Sequence, residues 1–354
     1  MNSARPRRLL FAATILTGSF LLFLIQPMVA RMALPGLGGA PNVWNSAMLV
    51  YQALLLGGYA YAHALSRWPL RRQAVLHLAL FAVAALTLPL ALVELPQPAP
   101  GHEVFWVPLL FLLSIGPVFF TVSAQAPLMQ RWFALQPDAG LPWALYAASN
   151  LGSFAGLIAY PLLVEPNFSL RTQAWVWSAG YGVLLCLVAV SAAARWNSAQ
   201  LQGNMIPHSK KDSDLTWKTV LLWIALAAVP SGLMLSTTTH ITTDIFAMPL
   251  IWVVPLGLYL LSFSIAFADW RGPARWVTAV AWLGIFAVGG MAAASSGWSG
   301  VVPMASIVAL LFLLCTALHA RLYDLRPPVE QLTAFYLAMS AGGVIGGLFT
   351  ALAA

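Results

Sequence analysis

Long apolar runs separated by short polar segments make up almost all of this 354-residue chain. A membrane helix needs about 20 mostly apolar residues to cross about 30 Å of hydrocarbon. Eleven runs meet this requirement, at about 9–30, 43–65, 74–93, 105–124, 143–163, 174–194, 218–238, 248–267, 275–294, 301–320 and 332–353. The pattern predicts an all-α polytopic membrane protein with about eleven transmembrane helices, in contact with the lipid bilayer.

The composition excludes the ordinary soluble classes. Hydrophobic residues make up 60% of the chain and charged residues 8%, with a mean hydropathy of +0.82. Soluble domains carry about 25% charged residues, and disordered chains are poor in apolar ones. The two cysteines, Cys186 and Cys315, both lie inside apolar runs, which excludes a disulfide scaffold and a zinc site of the CxxC type. We therefore expect no metal and no cofactor.

The basic residues predict the orientation in the membrane. With the N-terminus in the cytoplasm and the loops alternating, 15 of the 17 lysines and arginines fall on the cytoplasmic side, and only Arg31 and Arg171 fall outside. Such a bias follows the positive-inside rule and supports the number of spans, since one missed helix would scramble it. The net charge of +7 is thereby explained without nucleic acid as a partner. We expect a multi-pass protein of the bacterial inner membrane with a cytoplasmic N-terminus.

A polar stretch at 196–216 divides the eleven spans into six and five. It predicts a first membrane bundle at 1–195, a flexible cytoplasmic linker and a second bundle at 217–354. Two helix pairs then suggest a six-span repeat. Trp44 and Tyr51 match Trp252 and Tyr259 at an offset of 208. At an offset of 191, the following residues match in pairs: Ala147, Ser149, Gly152, Gly156 and Leu157 with Ala338, Ser340, Gly343, Gly347 and Leu348.

Two parallel six-helix halves are the plan of the major facilitator superfamily, so the repeat predicts an MFS-like fold with a 6+5 arrangement. The twelfth position would be empty or filled by a protein partner. The paired glycines form small-xxx-small faces, which allow helices to approach closely.

The densest polar cluster of the chain follows the seventh apolar run. His240 and Asp244 are four residues apart, so on a continuing helix they would share a face and could pair. Gln26 and Arg31 lie at the outer end of the first run. Because the repeat makes the first and seventh helices equivalent, we expect these four residues to form an outward-facing pocket. The alternatives are an arginine that snorkels to the interface and a loop whose hydroxyls cap the eighth helix.

Three amides, Asn45, Gln52 and Asn150, lie alone within spans. Each could bind a ligand or form a hydrogen bond between helices. Walker A, GxSxG and HExxH motifs are absent, and so is any pair of close carboxylates. We therefore expect no catalytic residues.

Four blocks of the sequence resemble the membrane region of bacterial fused MFS/spermidine synthase-like proteins. They read LFLIQPMVARMALPGLGGAPNVWNSAMLVYQALLLGGYAYAHAL, LYAASNLGSFAGLIAYPLLVEP, LSTTTHITTDIFAMPLIWVVPLGLYLLSFSIAF and FYLAMSAGGVIGGLF. Members of that family commonly carry a soluble aminopropyltransferase-like domain after these helices. The present sequence lacks the glycine-rich loop of such a domain, so the resemblance implies a family and a polyamine context but no enzymatic activity for this chain.

Two functions remain open from the sequence. The first is a transporter or binding module for a small molecule such as a cationic metabolite, which the repeat favours. The second is a non-catalytic membrane scaffold or accessory subunit for an aminopropyltransferase-like enzyme or another membrane complex. The scarcity of charge within the spans favours the scaffold, because proton-coupled carriers usually bury carboxylates.

Overall fold

The computed structural model describes residues 4–37, 41–96, 98, 103–134, 143–196, 215–242, 253–268, 270–294, 300–328 and 331–353. These ranges contain no strand and eleven long helices. The helices are α1 (Ala4–Leu37), α2 (Pro41–Leu65), α3 (Leu70–Ala84), α4 (Glu103–Ala134), α5 (Trp143–Ala159), α6 (Leu170–Trp196), α7 (Trp217–His240), α8 (Val253–Ala266), α9 (Gly272–Ala294), α10 (Val301–Asp324) and α11 (Leu332–Ala353). Each coincides with one predicted apolar run, which confirms the all-α polytopic class.

Within the described ranges, eight helices are long and apolar enough to cross a membrane: α1, α3, α4, α6, α7, α9, α10 and α11. The described part of α8 has 14 residues, and α5 has 17. A π-helical segment, Tyr160–Val164, prolongs α5 beyond Ala159 and leads into a short helical turn, Glu165–Asn167. Prolines inside α1, α4 and α7 are compatible with membrane helices, because neighbouring helices and hydroxyl side chains satisfy the backbone groups that they free.

The helix contacts of the first half recur in the second half with a shift of six helices. Helix α1 packs on α5 and α4, and α7 packs on α11 and α10 in the same way. Likewise α2 and α3 pack on α4, whereas α8 and α9 pack on α10. Between the halves, α2 contacts α11 and α5 contacts α8. These two contacts are equivalent under the same shift, as a pseudo-twofold axis between two parallel repeats requires.

The structure corrects the register of the repeat in α11. A Cβ atom at Gly152 or Gly156 would lie 2.4 or 2.3 Å from a backbone carbonyl oxygen of α1. In the second half, the glycines that lie against α7 in this way are Gly342 and Gly346, at 2.4 and 2.2 Å from carbonyl oxygens of α7. The true offset between α5 and α11 is therefore 190.

The predicted partners Gly343 and Gly347 face elsewhere. A Cβ at Gly343 would meet nothing within 4 Å, and one at Gly347 would meet the Gln52 side chain. The sequence predicted the wrong offset because α11 contains two glycine doublets, Gly342–Gly343 and Gly346–Gly347. The glycines of α5 therefore match glycines of α11 at an offset of either 190 or 191. Only one of them presents glycine to the backbone of α7.

The divisions at 1–195 and 217–354 remain predictions. Most of the predicted linker, residues 197–214, lies outside the described part of the chain.

Candidate functional site

A cavity of about 190 Å³ lies where the two halves meet. Helices α1, α2, α4 and α5 line it from the first half, and α7, α8 and α11 line it from the second. No single bundle encloses it, since each half contributes one wall.

Residues at equivalent positions of the two repeats line this cavity. Tyr51 and Tyr259 both line it, as do Asn150 and Ser340. The first pair has the offset of 208 seen in the sequence, and the second pair has the corrected offset of 190. The cavity therefore follows the pseudo-twofold arrangement of the helices.

The two walls differ in polarity. The first half provides the amides Gln26, Gln52 and Asn150 together with several serines. The equivalents of Gln26 and Gln52 in the second half are Met234 and Leu260, which also line the cavity. Polar groups are therefore concentrated on one wall, and the opposite wall is largely apolar. Among the described residues lining the cavity, none is charged at neutral pH.

Hydrogen bonds hold part of the polar lining in place. Gln52 donates from Nε2 to Ser231 Oγ at 3.2 Å, and Ser231 donates to the carbonyl oxygen of Gly343 at 3.0 Å. This chain of bonds links α2, α7 and α11, and therefore joins the two halves. Within the first half, the hydroxyls of Ser19 and Ser149 lie 2.9 Å apart.

The other predicted amides are placed as follows. Gln26 is buried, donates from Nε2 to the carbonyl oxygen of Leu22 at 3.2 Å, and accepts a bond from the Tyr51 hydroxyl on its own carbonyl oxygen at 3.3 Å. Asn45 lies within α2, and its side chain is outside the described part of the structure.

Three buried polar atoms of the lining have no hydrogen-bond partner among the described residues: Gln52 Oε1, Asn150 Nδ2 and Ser340 Oγ. Asn150 and Ser340 are 8% and 7% exposed. Asn150 lies beside the Tyr146 hydroxyl without forming a hydrogen bond of normal geometry. Because a buried polar group without a partner is costly, these atoms are candidates for contact with a bound molecule.

Aromatic rings join the halves at one end of the cavity, where α2 and α8 end and α5 and α11 begin. This is the end predicted to face the cytoplasm. The rings of Tyr146 and Tyr336 stack at a centroid distance of 5.8 Å. Tyr59 contacts Tyr336 at 6.2 Å, and Phe267 contacts Tyr146 at 4.6 Å. These four residues, termed the aromatic bridge below, form two equivalent pairs at the offsets of 208 and 190.

Of the four residues predicted to form an outer pocket, Gln26 lines this cavity instead, whereas Arg31 and His240 are not among its lining residues. Arg31 pairs with Glu165, with 3.1 Å between Nε and Oε1, in a groove that also includes Phe168. His240 is half-buried in the last turn of α7. Asp244 lies outside the described residues, so its pairing with Arg31 or His240 stays a prediction.

Sequence reasoning missed the aromatic bridge and the serines of the cavity. Tyr146 and Tyr336 share the offset of 190 with the packing glycines, and this repeat could have revealed them. The serines could not be recognised, because their position in the cavity depends on the rotation of each helix.

Comparison with known proteins agrees with this architecture at the level of the fold. No protein-family model matches the chain, and a search of curated proteins gives no match. Among solved structures, the xylose transporter XylE from E. coli superposes with a TM-score of 0.59 at 13% identity, over 99% of this chain and 93% of XylE.

Two further structures match similarly. The human organic anion transporter MFSD10 gives a TM-score of 0.55 at 14% identity, over 100% of this chain and 93% of that protein. The peptide transporter POT gives 0.53 at 14% identity, over 98% and 88%. XylE is a protein of the major facilitator superfamily. The chain therefore has an MFS-like membrane fold.

Proposed function

We propose that this chain is a secondary transporter that carries a small molecule through the central cavity by alternating access. One observation carries the proposal: both repeats contribute to a single cavity at their interface, and two equivalent contacts, α2 with α11 and α5 with α8, join them around it. In transporters built from two repeats, the substrate binds at this interface, and rocking of one repeat against the other exposes it to each side in turn. The xylose, organic anion and peptide transporters named above share the fold but differ in what they carry.

The proposal includes a place in the cell. The distribution of the basic residues supports a bacterial inner membrane with a cytoplasmic N-terminus. Exposed tryptophans at the predicted cytoplasmic ends of the helices, among them Trp68, Trp217 and Trp270, suit a membrane interface.

A second candidate is the membrane scaffold for an aminopropyltransferase-like partner. The sequence blocks that resemble fused MFS/spermidine synthase-like proteins favour it, and so does the lack of charge among the described residues of the cavity. A scaffold needs no motion of one half against the other, and this difference separates the two candidates.

The deciding experiment measures distances between spin labels in liposomes. Arg67 and Arg275 are exposed, lie near the predicted cytoplasmic ends of the two halves, and are equivalent at the offset of 208. Labels on Arg67→Cys and Arg275→Cys, with the native cysteines replaced, should give two distance populations. Labels on Arg67→Cys, between α2 and α3, and on Trp196→Cys, at the end of α6, report on one half only and should give one population. A single narrow population for both pairs would contradict transport and favour the scaffold.

A further inference from the structure

The central cavity contains a set of groups that selects among classes of small molecule. None of its described lining residues is charged at neutral pH. A charged molecule that enters loses its hydration, and an environment without a counter-charge does not replace it. The cation–π attraction between a bound cation and the tyrosines of the lining is weaker than the hydration free energy that the cation loses. A polyamine and an organic anion are therefore both poorly matched to the cavity.

The unpartnered groups of the cavity include both hydrogen-bond donors and hydrogen-bond acceptors. Gln52 Oε1 accepts a hydrogen bond, Asn150 Nδ2 donates one, and Ser340 Oγ does either. All three are buried and have no partner among the described residues. Gln52 is oriented by its bond to Ser231, which uses one of the two hydrogens on Nε2, and Oε1 accepts no hydrogen bond from the described residues. A molecule that satisfies the set must carry both donors and acceptors.

The walls and the volume limit the shape of the ligand. Most polar groups of the lining belong to the first half, and the second half adds Ser340 among apolar residues such as Met234 and Leu256. A cavity of 150 Å³ accommodates benzene, so about 190 Å³ suits a molecule of one ring.

The geometry points to an uncharged, single-ring solute with hydrogen-bond donors and acceptors, such as a cyclic polyol or a nucleobase, held by Gln52, Asn150 and Ser340. This inference rests on the proposed transport function, since it takes the cavity to be the substrate site. It replaces the cationic metabolite expected from the sequence.

The first test needs no knowledge of the solute. Ser153 lines the cavity, is 5% exposed and is not one of the three anchoring groups. We compare the reaction of Ser153→Cys, without the native cysteines, with neutral, cationic and anionic methanethiosulfonates of similar size. Each rate is divided by the rate of that reagent with a free thiol. The neutral reagent should react at least about tenfold faster than either ion, which corresponds to about 1.4 kcal/mol. A cationic or anionic reagent that reacts as fast as the neutral one would overturn the inference.

The second test uses ligand probes and a matched pair of serines. Thermal stability is measured with myo-inositol, uracil, spermidine and succinate. A neutral probe should stabilise the protein, whereas stabilisation by spermidine or succinate alone would overturn the inference.

Ser340→Ala should weaken binding of the stabilising probe about three- to tenfold, with the melting temperature of the free protein unchanged, because no internal hydrogen bond is lost. Ser123→Ala is the control, since its hydroxyl already bonds to carbonyl oxygens of Phe120 and Leu54, and should leave binding unchanged. Equal losses in both variants would contradict the assigned anchors.

The two proposals fail separately. Two spin-label distance populations together with fast reaction of an ionic reagent would keep transport and reject the neutral solute. A single distance population together with preferential reaction of the neutral reagent would reject transport while keeping the chemistry of the cavity.

Discussion

The rings of Tyr146 and Tyr336 stack with their planes inclined by only 5°, although 190 positions separate them in the chain. They occupy the same place in the two repeats, near the beginning of α5 and of α11, and meet between the halves. The Tyr336 hydroxyl also contacts Oε1 of Gln130 in α4. The contact thus lies between the two equivalent repeats, beside the cavity at its predicted cytoplasmic end.

Removing the stacked tyrosines of the aromatic bridge should allow the two halves to separate at the predicted cytoplasmic end. A stacked aromatic pair contributes about 0.5–1.5 kcal/mol beyond its burial, which corresponds to about a two- to twelvefold change in an equilibrium. The double variant Tyr146→Ala, Tyr336→Ala should therefore increase the longer-distance population of the Arg67 and Arg275 spin labels. Tyr336→Phe keeps the ring and serves as the control. An unchanged distance distribution in the double variant would show that the stack does not hold the halves together.

Close packing of α11 on α7 predicts different effects for neighbouring glycines. A Cβ at Gly346 would lie 2.2 Å from the backbone oxygen of Ala228, which cannot move without shifting a helix. We expect Gly346→Ala to destabilise the protein by about 1–3 kcal/mol, as overpacking does. Gly343→Ala is the matched control, with open space at the Cβ position, and helix propensity should stabilise it by up to about 1 kcal/mol. Melting temperatures in detergent measure the difference, and equal values would contradict the corrected register.

The ion pair of Arg31 and Glu165 should contribute little to stability. Their side chains are 46% and 26% exposed, so water and salt screen the attraction. A double-mutant cycle with Arg31→Gln and Glu165→Gln should give a coupling of less than about 1 kcal/mol that falls with added salt. A second double-mutant cycle, which combines Arg31→Gln with Asp244→Asn, tests the outer pocket expected from the sequence. A larger coupling of Arg31 with Asp244 than with Glu165 would favour that pocket.

The predicted orientation places residue 198 in the cytoplasm. In a background without Cys186 and Cys315, Ser198→Cys should react with an impermeant thiol reagent in inside-out vesicles. In intact spheroplasts it should not react, because the reagent cannot cross the membrane. Labelling in spheroplasts would show that the orientation is opposite to the one that the basic residues predict.

The sequence by itself determined the number, class and approximate bounds of the helices. A membrane helix satisfies its own backbone hydrogen bonds and needs a fixed apolar length, so hydropathy along the chain is sufficient to locate it. The period of six spans could also be detected, because Trp44 and Tyr51 match Trp252 and Tyr259 directly. The comparison with solved structures confirms the MFS-like fold inferred from that period.

Only the tertiary structure decided which residues meet. The doublets Gly342–Gly343 and Gly346–Gly347 allow two registers, and contact with α7 selects one of them. Arg31 meets Glu165 because the segment that prolongs α5 carries the carboxylate to the end of α1. The cavity combines side chains from seven helices. Such meetings depend on how each helix is rotated and packed against its neighbours. Hydropathy along the chain does not reveal this rotation, since nearly every face of these helices is apolar.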